Sequence, residues 1–332
     1  MQLRKVKIVG TGKYLPKRAV TDEELDQKLG VQAGWTHKAT GVGTRYYVSE
    51  GETASMMGAQ AAQDALDAAG LTFADMDCLV CTSGTKEQPL PSTAVFIQQA
   101  MGQEESGVPA FDIDATCLSF LVGLDTMSYL VAAGRYRYVL LVATEIASAG
   151  LNWENKESAA LFGDGAAAVI IGASAPEESA RIIHTSLQTY SKGARYSEIQ
   201  GGGTRLPAHL QKDLAESFLF FMDGQKIFRM ASRLLPDFID QLLEQSHTKM
   251  EDFKLVIPHQ GSAMAMRLIR KKLGISKQQF LDITLNHGNT IAASIPMGIH
   301  EAIVQGRIER GDRILLMGTA AGLSLGGMVL EY

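Results

Sequence analysis

The sequence predicts an α/β protein, sheets layered with helices, in two halves that echo each other. First, short β-type runs alternate with helix-periodic segments, the pattern of α/β layers with mainly parallel strands. Second, 46% of the 332 residues are hydrophobic. A chain of that length and composition can bury a large core, as one big domain or two closely packed halves. Third, a unit recurs. Cys117 opens a helical stretch that reaches Gly134-Arg135 before the strand Tyr138–Val142. Asn289 opens another that reaches Gly306-Arg307 before the strand Ile314–Met317. The spans Cys117 to Gly134 and Asn289 to Gly306 are both 17 residues. Each half then closes with a Gly/Ala-rich turn and a final strand. An internal duplication explains this, with halves at 1–173 and 174–332 and with Cys117 facing Asn289 across a pseudo-twofold axis.

In order along the chain, Val6–Gly10 reads as a strand and Gly12–Pro16 as a loop. Thr21 caps a helix that begins at Asp22. Trp35 to Tyr47 is loop-like, punctuated by Gly41 and Gly43. Thr53 to Ala69 is Ala-rich and periodic, a buried helix stopped by Gly70. Cys78–Thr82 is a strand, and a loop with Pro89 and Pro91 leads to a helix from Thr93 to Met101. Phe111–Asp114 ends a strand, and Leu118 to Val131 carries apolar residues at helical spacing. Tyr138–Ala143 is a strong β run. Phe162-Gly163-Asp164-Gly165 turns into the strand Ala166–Ile171, with Asp164 a turn residue. Residues 174–220 carry little pattern, and Gly201 to Gly203 mark a loop. Ile227 to Leu243 is a long helix containing Pro236. Leu255–His259 is a strand ending at a histidine, and Ala263 to Leu273 is a helix stopped by Gly274. Arg313–Met317 and Gly327–Leu330 are the last strands.

Bulk properties exclude several classes. The net charge of −5 lacks the clustered Lys and Arg of a nucleic-acid footprint. No 18-residue apolar run suggests a membrane span. Met1 to Val6 enters a strand without a signal-peptide core. Three cysteines give no disulfide framework, as expected for a reducing cytoplasm. Cys78 and Cys81 form C-x-x-C, but residues three apart in a strand point to opposite faces, so core packing is expected and no metal site.

Cys117 lies just past a strand, at a helix N-terminus. The free N–H groups and dipole there are expected to lower its thiol pKa. A thiolate is a good nucleophile towards thioesters. A small cysteine packed as a hydrophobe would look the same from this stretch alone. Two further segments carry candidate reactive groups: His259 in Pro258-His259-Gln260, and Asn289 in His287-Gly288-Asn289-Thr290. A cysteine with a distant histidine is a candidate nucleophilic site, and the asparagine adds a donor for a developing oxyanion.

These segments, with Gly10-Thr11-Gly12-Lys13-Tyr14-Leu15-Pro16, Trp35 with Thr40-Gly41-Val42, Phe162-Gly163-Asp164-Gly165-Ala166, Met222-Asp223-Gly224-Gln225-Lys226-Ile227-Phe228 and Ala292-Ala293-Ser294-Ile295-Pro296, resemble the β-ketoacyl-ACP synthase III group of thiolase-fold condensing enzymes. The resemblance covers nearly the whole chain. It implies a thiolase-like fold, duplicated α-β-α-β-α layers with pseudo-twofold symmetry. It also implies that Cys117 takes an acyl group from acyl-CoA or acyl carrier protein. His259 and Asn289 would bind the thioester carbonyl of a malonyl- or β-ketoacyl-type extender, and a Claisen condensation, decarboxylative in the main reading, would follow. The backbone N–H groups of Cys117 and Gly322 would hold the first oxyanion. Trp35, Lys156, Gly224, Phe228 and Leu90 would contact the CoA and acyl parts of the substrates, and Phe218, Phe220 and Phe221 are candidates for an acyl channel. No metal or resident cofactor is implied, and a cytoplasmic homodimer is expected. Its interface is expected to bury Cys78–Thr82 and the helix Thr93 to Met101.

Neighbouring chemistries separate on single residues. Degradative thiolases use a second cysteine near the C-terminus, and no cysteine follows Cys117. Elongating ketosynthases carry a histidine where this chain has Asn289. Nearby His287 is read as packing behind the site. Ala39, Met264 and Ala321 depart from the family pattern of an adenine-stacking arginine, a basic docking residue and a triple-glycine loop. Arg267 and Arg270 follow on the Met264 helix. These departures point to a specialised member. The alternatives are head-to-head condensation without decarboxylation, with Glu87 as candidate base, and acyl transfer to an O, N or S acceptor.

Overall fold

The computed structural model describes residues 3–210 and 215–332, so Met1 and Gln2 of the N-terminal reading lie outside the described residues. The first half contains β1 (Val6–Tyr14), β2 (Arg18–Thr21), α1 (Asp22–Leu29), α2 (Trp35–Thr40), β3 (Thr44–Tyr47), α3 (Ala54–Ala69), β4 (Cys78–Cys81), α4 (Thr93–Ala100), β5 (Ala110–Asp112), α5 (Ser119–Ala132), β6 (Tyr138–Glu145), α6 (Lys156–Ala159) and β7 (Gly165–Ala173). The second contains β8 (Arg181–Thr189), β9 (Ser197–Glu198), β10 (Phe221–Met222), α7 (Gly224–Ser246), β11 (Leu255–Pro258), α8 (Ala263–Lys272), α9 (Thr284–His287), α10 (Ser294–Val304), β12 (Arg313–Ala320) and β13 (Ser324–Glu331).

Two main sheets result, ordered β1-β7-β6-β4-β5 and β11-β12-β13-β8. They are mixed, not mainly parallel. β4 runs parallel to β5 and β6, and β11 to β12, while β7 and β13 are antiparallel to both of their neighbours. In each half the chain returns as an antiparallel strand after the last parallel one, which the alternation of elements could not reveal. Between the sheets lies a shared apolar layer to which α5 gives buried Phe120, Leu121 and Leu124 and α10 gives buried Ile295, Met297 and Ile299. The outer faces are covered by α3 and α4 on the first sheet and by α7 and α8 on the second. Cys78 belongs to the inner layer and Cys81 to the outer one, the opposite-face packing that their spacing predicts.

Several local readings change. β1 continues through Gly12 to Tyr14, because Gly12, Lys13 and Tyr14 pair with Ala168, Ala167 and Ala166. Trp35–Tyr47 is a short helix and a strand, with left-handed Gly34 and Gly41 bounding the helix. Within the weakly patterned 174–220 stretch, Arg181–Thr189 is a nine-residue strand held by β13. Cys78–Thr82 does not form an interface surface, since β4 is buried inside its own sheet. The open edge is β5, where Phe111 is exposed.

The duplication also takes a different register. α5 and α10 are each preceded by a 3-10 turn, Thr116–Leu118 and Ile291–Ala293. The first residue of each turn is left-handed, Thr116 at φ +53° and Ile291 at φ +48°. Cys117 therefore corresponds to Ala292 and not to Asn289. The equal span to the glycines survives because α10 has 11 residues against 14 in α5.

Gly10 and Gly12 show why β1 and α3 lie so close. A Cβ at Gly12 would sit 2.1 Å from the Ala61 carbonyl oxygen, and one at Gly10 2.3 Å from that of Ala65. Overpacking of this kind costs about 1–3 kcal/mol or more. Gly12→Ala is expected to lower the unfolding free energy by that amount, seen as a lower urea midpoint at unchanged m-value, and an unaltered midpoint would refute the close packing.

Candidate active site

The site forms where the two 3-10 turns pack against each other between the sheets. A left-handed β-branched residue is strained by about 1–3 kcal/mol, and both turns are braced. Ser119 Oγ accepts from Ala115 N–H (2.9 Å) and donates to the Thr116 carbonyl (2.6 Å). Gly84 fits between the turns, since a Cβ there would lie 3.1 Å from Ile291 Cγ2 and 3.3 Å from Thr116 Cα.

Cys117 is half-buried at the centre of the first turn. The N–H groups of Cys117 itself and of Ala321 favour the thiolate form of this sulfur. Ala321, not Gly322, turns its N–H to the nucleophile, and Gly322 at φ +139° supplies the backbone turn beyond it. The thiol is also not activated as its position predicts. Burial, followed by the charge of Glu145, pushes its pKa up to about 12 against the two N–H groups.

His259 follows β11, its backbone N–H bonded to the Met317 carbonyl at 2.8 Å. Its Nδ1 lies 2.7 Å from Ser294 Oγ. That hydroxyl also accepts from Gln260 N–H at 3.3 Å. Burial pushes the ring's pKa down to about 4, so it is neutral at pH 7. Asn289 is buried, and its backbone bridges the halves, donating to the Leu161 carbonyl (2.8 Å) and accepting from Gly163 N–H (3.1 Å). Its Oδ1 accepts from Ile291 N–H at 2.9 Å, and Nδ2 donates to the Gly261 carbonyl at 3.3 Å. A Cβ on that same Gly261 would lie 3.3 Å from His259 Nε2. Two side-chain donors thus meet around Gly261. Gly318 joins them to the nucleophile turn, packing between His259 Cβ and Leu118.

The supporting residues sort clearly. His287 packs behind Asn289, with Nδ1 3.1 Å from the Ile283 carbonyl and Nε2 3.4 Å from Lys13 Nζ. Asp164 is more than a turn residue. It is buried and accepts from Val48 N–H, Ser148 N–H and Ser148 Oγ–H. Trp35 lies half-buried on the apolar cluster that also carries Trp153 and Ile291. Lys156 is exposed at the start of α6, Gly224 is exposed at the start of α7, and Phe228 is half-buried on α7. Phe220 packs edge-on against Phe162 at 5.2 Å, Phe218 leans on Gly201, and Phe221 is exposed. Leu90 is 82% exposed and does not line its own chain's site. Glu87 is engaged elsewhere, accepting from Ser55 N–H at 2.6 Å at the start of α3. Among the described residues no group of His, Cys, Asp or Glu could hold a metal.

The sequence reading missed Glu145. It is wholly buried, and burial pushes its pKa up to about 8 against four donated hydrogen bonds. Its only signal was a lone charge ending the apolar run of β6. Ile291 and Ala321 were passed over for a different reason, because they act through backbone groups that any residue possesses.

A sulfur nucleophile beside backbone donors handles one carbonyl, while two neutral side-chain donors next to it can hold a second. That layout on two stacked mixed sheets defines an acyl-thioester condensing enzyme of the thiolase fold. Comparison with known proteins makes the class specific. The family signature 3-oxoacyl-[acyl-carrier-protein] synthase III matches residues 111–191, and its C-terminal counterpart matches 243–332. A β-ketoacyl-[acyl-carrier-protein] synthase III of Acidiphilium cryptum is 33% identical over 99% of this chain and 100% of its own length. The crystal structure of 3-oxoacyl-[acyl-carrier-protein] synthase III from Aquifex aeolicus superposes with a TM-score of 0.89 at 32% identity, covering 98% of this chain and all of that one. The priming β-ketosynthase of the R1128 polyketide pathway gives a TM-score of 0.89 at 26% identity, covering 99% and 96%. The chain belongs to the β-ketoacyl-[acyl-carrier-protein] synthase III family, and it is an acyltransferase.

The thiol pKa has a direct consequence. Thiolate rises tenfold per pH unit while pH stays below the pKa, so the iodoacetamide alkylation rate of Cys117 in the resting enzyme is expected to climb without a plateau between pH 6 and 10. A plateau below pH 8 would contradict the burial argument.

Proposed function

We propose that Cys117 accepts an acyl group from an acyl thioester, and that His259 and Asn289 then hold the carbonyl of a second, malonyl-type thioester during Claisen condensation. The observation that carries this reading is the meeting of His259 Nε2 and Asn289 Nδ2 around Gly261, beside the Cys117 turn. In the first step the sulfur attacks the acyl carbonyl. Charge develops on its oxygen near the N–H groups of Cys117 and Ala321, the donor thiol leaves, and the proton of Cys117 ends on that thiol. In the second step the malonyl group loses CO₂, and the electron pair left behind forms an enolate. Its oxygen accepts from His259 and Asn289, its carbon attacks the acyl-Cys117 carbonyl, and the sulfur leaves and is reprotonated. A neutral His259 suits this step, because it donates a hydrogen bond without protonating the carbanion.

Around this centre, we assign Trp35, Lys156, Gly224 and Phe228 to the CoA or phosphopantetheine arm. The exposed Met264 and Arg267 on α8, with Arg270 behind them, form the approach for an acyl carrier protein, named in the description of the A. cryptum relative. The halves 1–173 and 174–332 are read as repeats, supported by one main sheet in each. The exposed Phe111, Leu90 and Val95 beside the free edge of β5 favour a homodimer formed along that edge. Three free cysteines fit a cytoplasmic setting.

Intact-protein mass spectrometry over a panel of acyl-CoAs and acyl carrier proteins tests the first step. One acyl adduct is expected, and it should be absent in Cys117→Ala. His259→Ala and Asn289→Ala are expected to keep acylation and lose roughly 10²–10³ in condensation rate. An adduct elsewhere, or condensation surviving both changes, would overturn the assignment.

A further inference from the structure

Four hydrogen-bond donors converge on the Glu145 carboxylate at the end of β6. Oε1 accepts from Gly84 N–H at 2.7 Å and from Ala292 N–H at 3.3 Å. Oε2 accepts from Thr85 N–H at 2.9 Å and from Thr85 Oγ–H at 2.5 Å. Gly84 and Thr85 open the loop that carries Glu87 and Leu90, in the first half of the chain. Ala292 belongs to the 3-10 turn just after Asn289, in the second. All four partners donate, two to each carboxyl oxygen, so one side chain is tied to both halves of the chain at once.

We propose that Glu145 is a positioning residue for condensation, fixing through the Ile291–Ala292 turn the direction in which Asn289 donates. This rests on the roles assigned above to Cys117 and Asn289. The geometric path is short. Oε1 holds Ala292 N–H, and the preceding residue, left-handed Ile291, gives its N–H to Asn289 Oδ1 at 2.9 Å. With Oδ1 occupied, only Nδ2 can face a substrate, and an enolate oxygen requires a donor there. On the other side, Gly84 lies against Thr116, so one carboxylate braces both strained turns. A residue serving packing alone would need no carboxyl group, and burying a polar group is costly unless its hydrogen bonds are made.

Glu145→Gln and Glu145→Asp in the full-length enzyme test this. Glu145→Gln turns one acceptor into a donor, which faces an N–H or O–H that already donates. Acylation by acyl-CoA should persist in the mass spectrum, while condensation from the pre-acylated enzyme falls about 10²-fold, as for loss of one oxyanion donor. Glu145→Asp keeps the charge but is one methylene too short to reach both halves. Its acylation should persist while condensation falls. Equal loss of acylation and condensation in Glu145→Asp, or no loss of either, would overturn the proposal. If Glu145→Gln does not fold, the ratio of the two rates in Glu145→Asp decides. A wild-type enzyme that never acylates Cys117 would instead refute the underlying reading.

Discussion

Two left-handed backbone turns facing each other across the middle of the molecule are the constraint on which the rest depends. Thr116 and Ile291 occupy a region that β-branched side chains avoid, at a cost of about 1–3 kcal/mol each. Neither turn would persist alone. They persist because the surrounding structure over-determines them. Ser119 closes one, Glu145 and the Asn289 side chain hold the other, and Gly84 leaves room for both. The strain aims the reactive group next to each turn. After Thr116 the Cys117 sulfur meets the Ala321 N–H, and before Ile291 the Asn289 amide is turned so that it donates.

The electrostatics of the pocket follow from its dryness. A helix terminus offers a thiolate about 0.3–1 kcal/mol at an exposed site. Taking an unpaired charge out of water costs several times that. Cys117 therefore goes up to about 12 although it precedes α5, and His259 goes down to about 4. Both reactive groups rest uncharged. That state suits carbon–carbon bond formation, because the intermediate is a carbanion equivalent that any nearby acid would quench. It also places the activation of Cys117 in the encounter with substrate, where charge moves onto a carbonyl oxygen already faced by N–H groups.

The features legible in the sequence and those hidden from it divide along physical lines. Elements with a strong apolar period, such as α3, α5, β6 and β12, were legible because burial on one face or both writes itself into side chains. Trp35–Tyr47 looked like a loop because its glycines, which bound the short helix at Gly34 and Gly41, are also loop residues. Arg181–Thr189 was hidden because it lies at the end of its sheet, with polar positions at half-buried Gln188 and exposed Thr189 and only β13 beside it in the sheet. Cys117, His259 and Asn289 could be picked out because their chemistry resides in side chains. Ala321, Ile291 and Ala292 could not, since they contribute peptide N–H groups. Glu145 lies between these cases. A charged residue closing a buried strand is a visible anomaly, but only the fold shows that it reaches into both halves.

The register of the duplication explains how one repeated unit yields two different tools. Ser119 and Ser294 occupy the same place, the first residue of the helix after a left-handed turn. In the first half the hydroxyl folds back on its own turn, bonding to Ala115 and Thr116. In the second it reaches outward to His259 Nδ1, a residue delivered by β11. The equivalent of Cys117 is Ala292, which has no reactive side chain and instead gives its N–H to Glu145. Asn289 lies three residues before Ala292, in the segment that pairs with Leu161 and Gly163 of the other half. A strictly symmetric molecule would set two like groups against each other on the axis. By shortening the second helix and moving its functional side chain into the preceding segment, the chain places a nucleophile on one side of the pocket and hydrogen-bond donors on the other. Joining two thioesters needs that asymmetry.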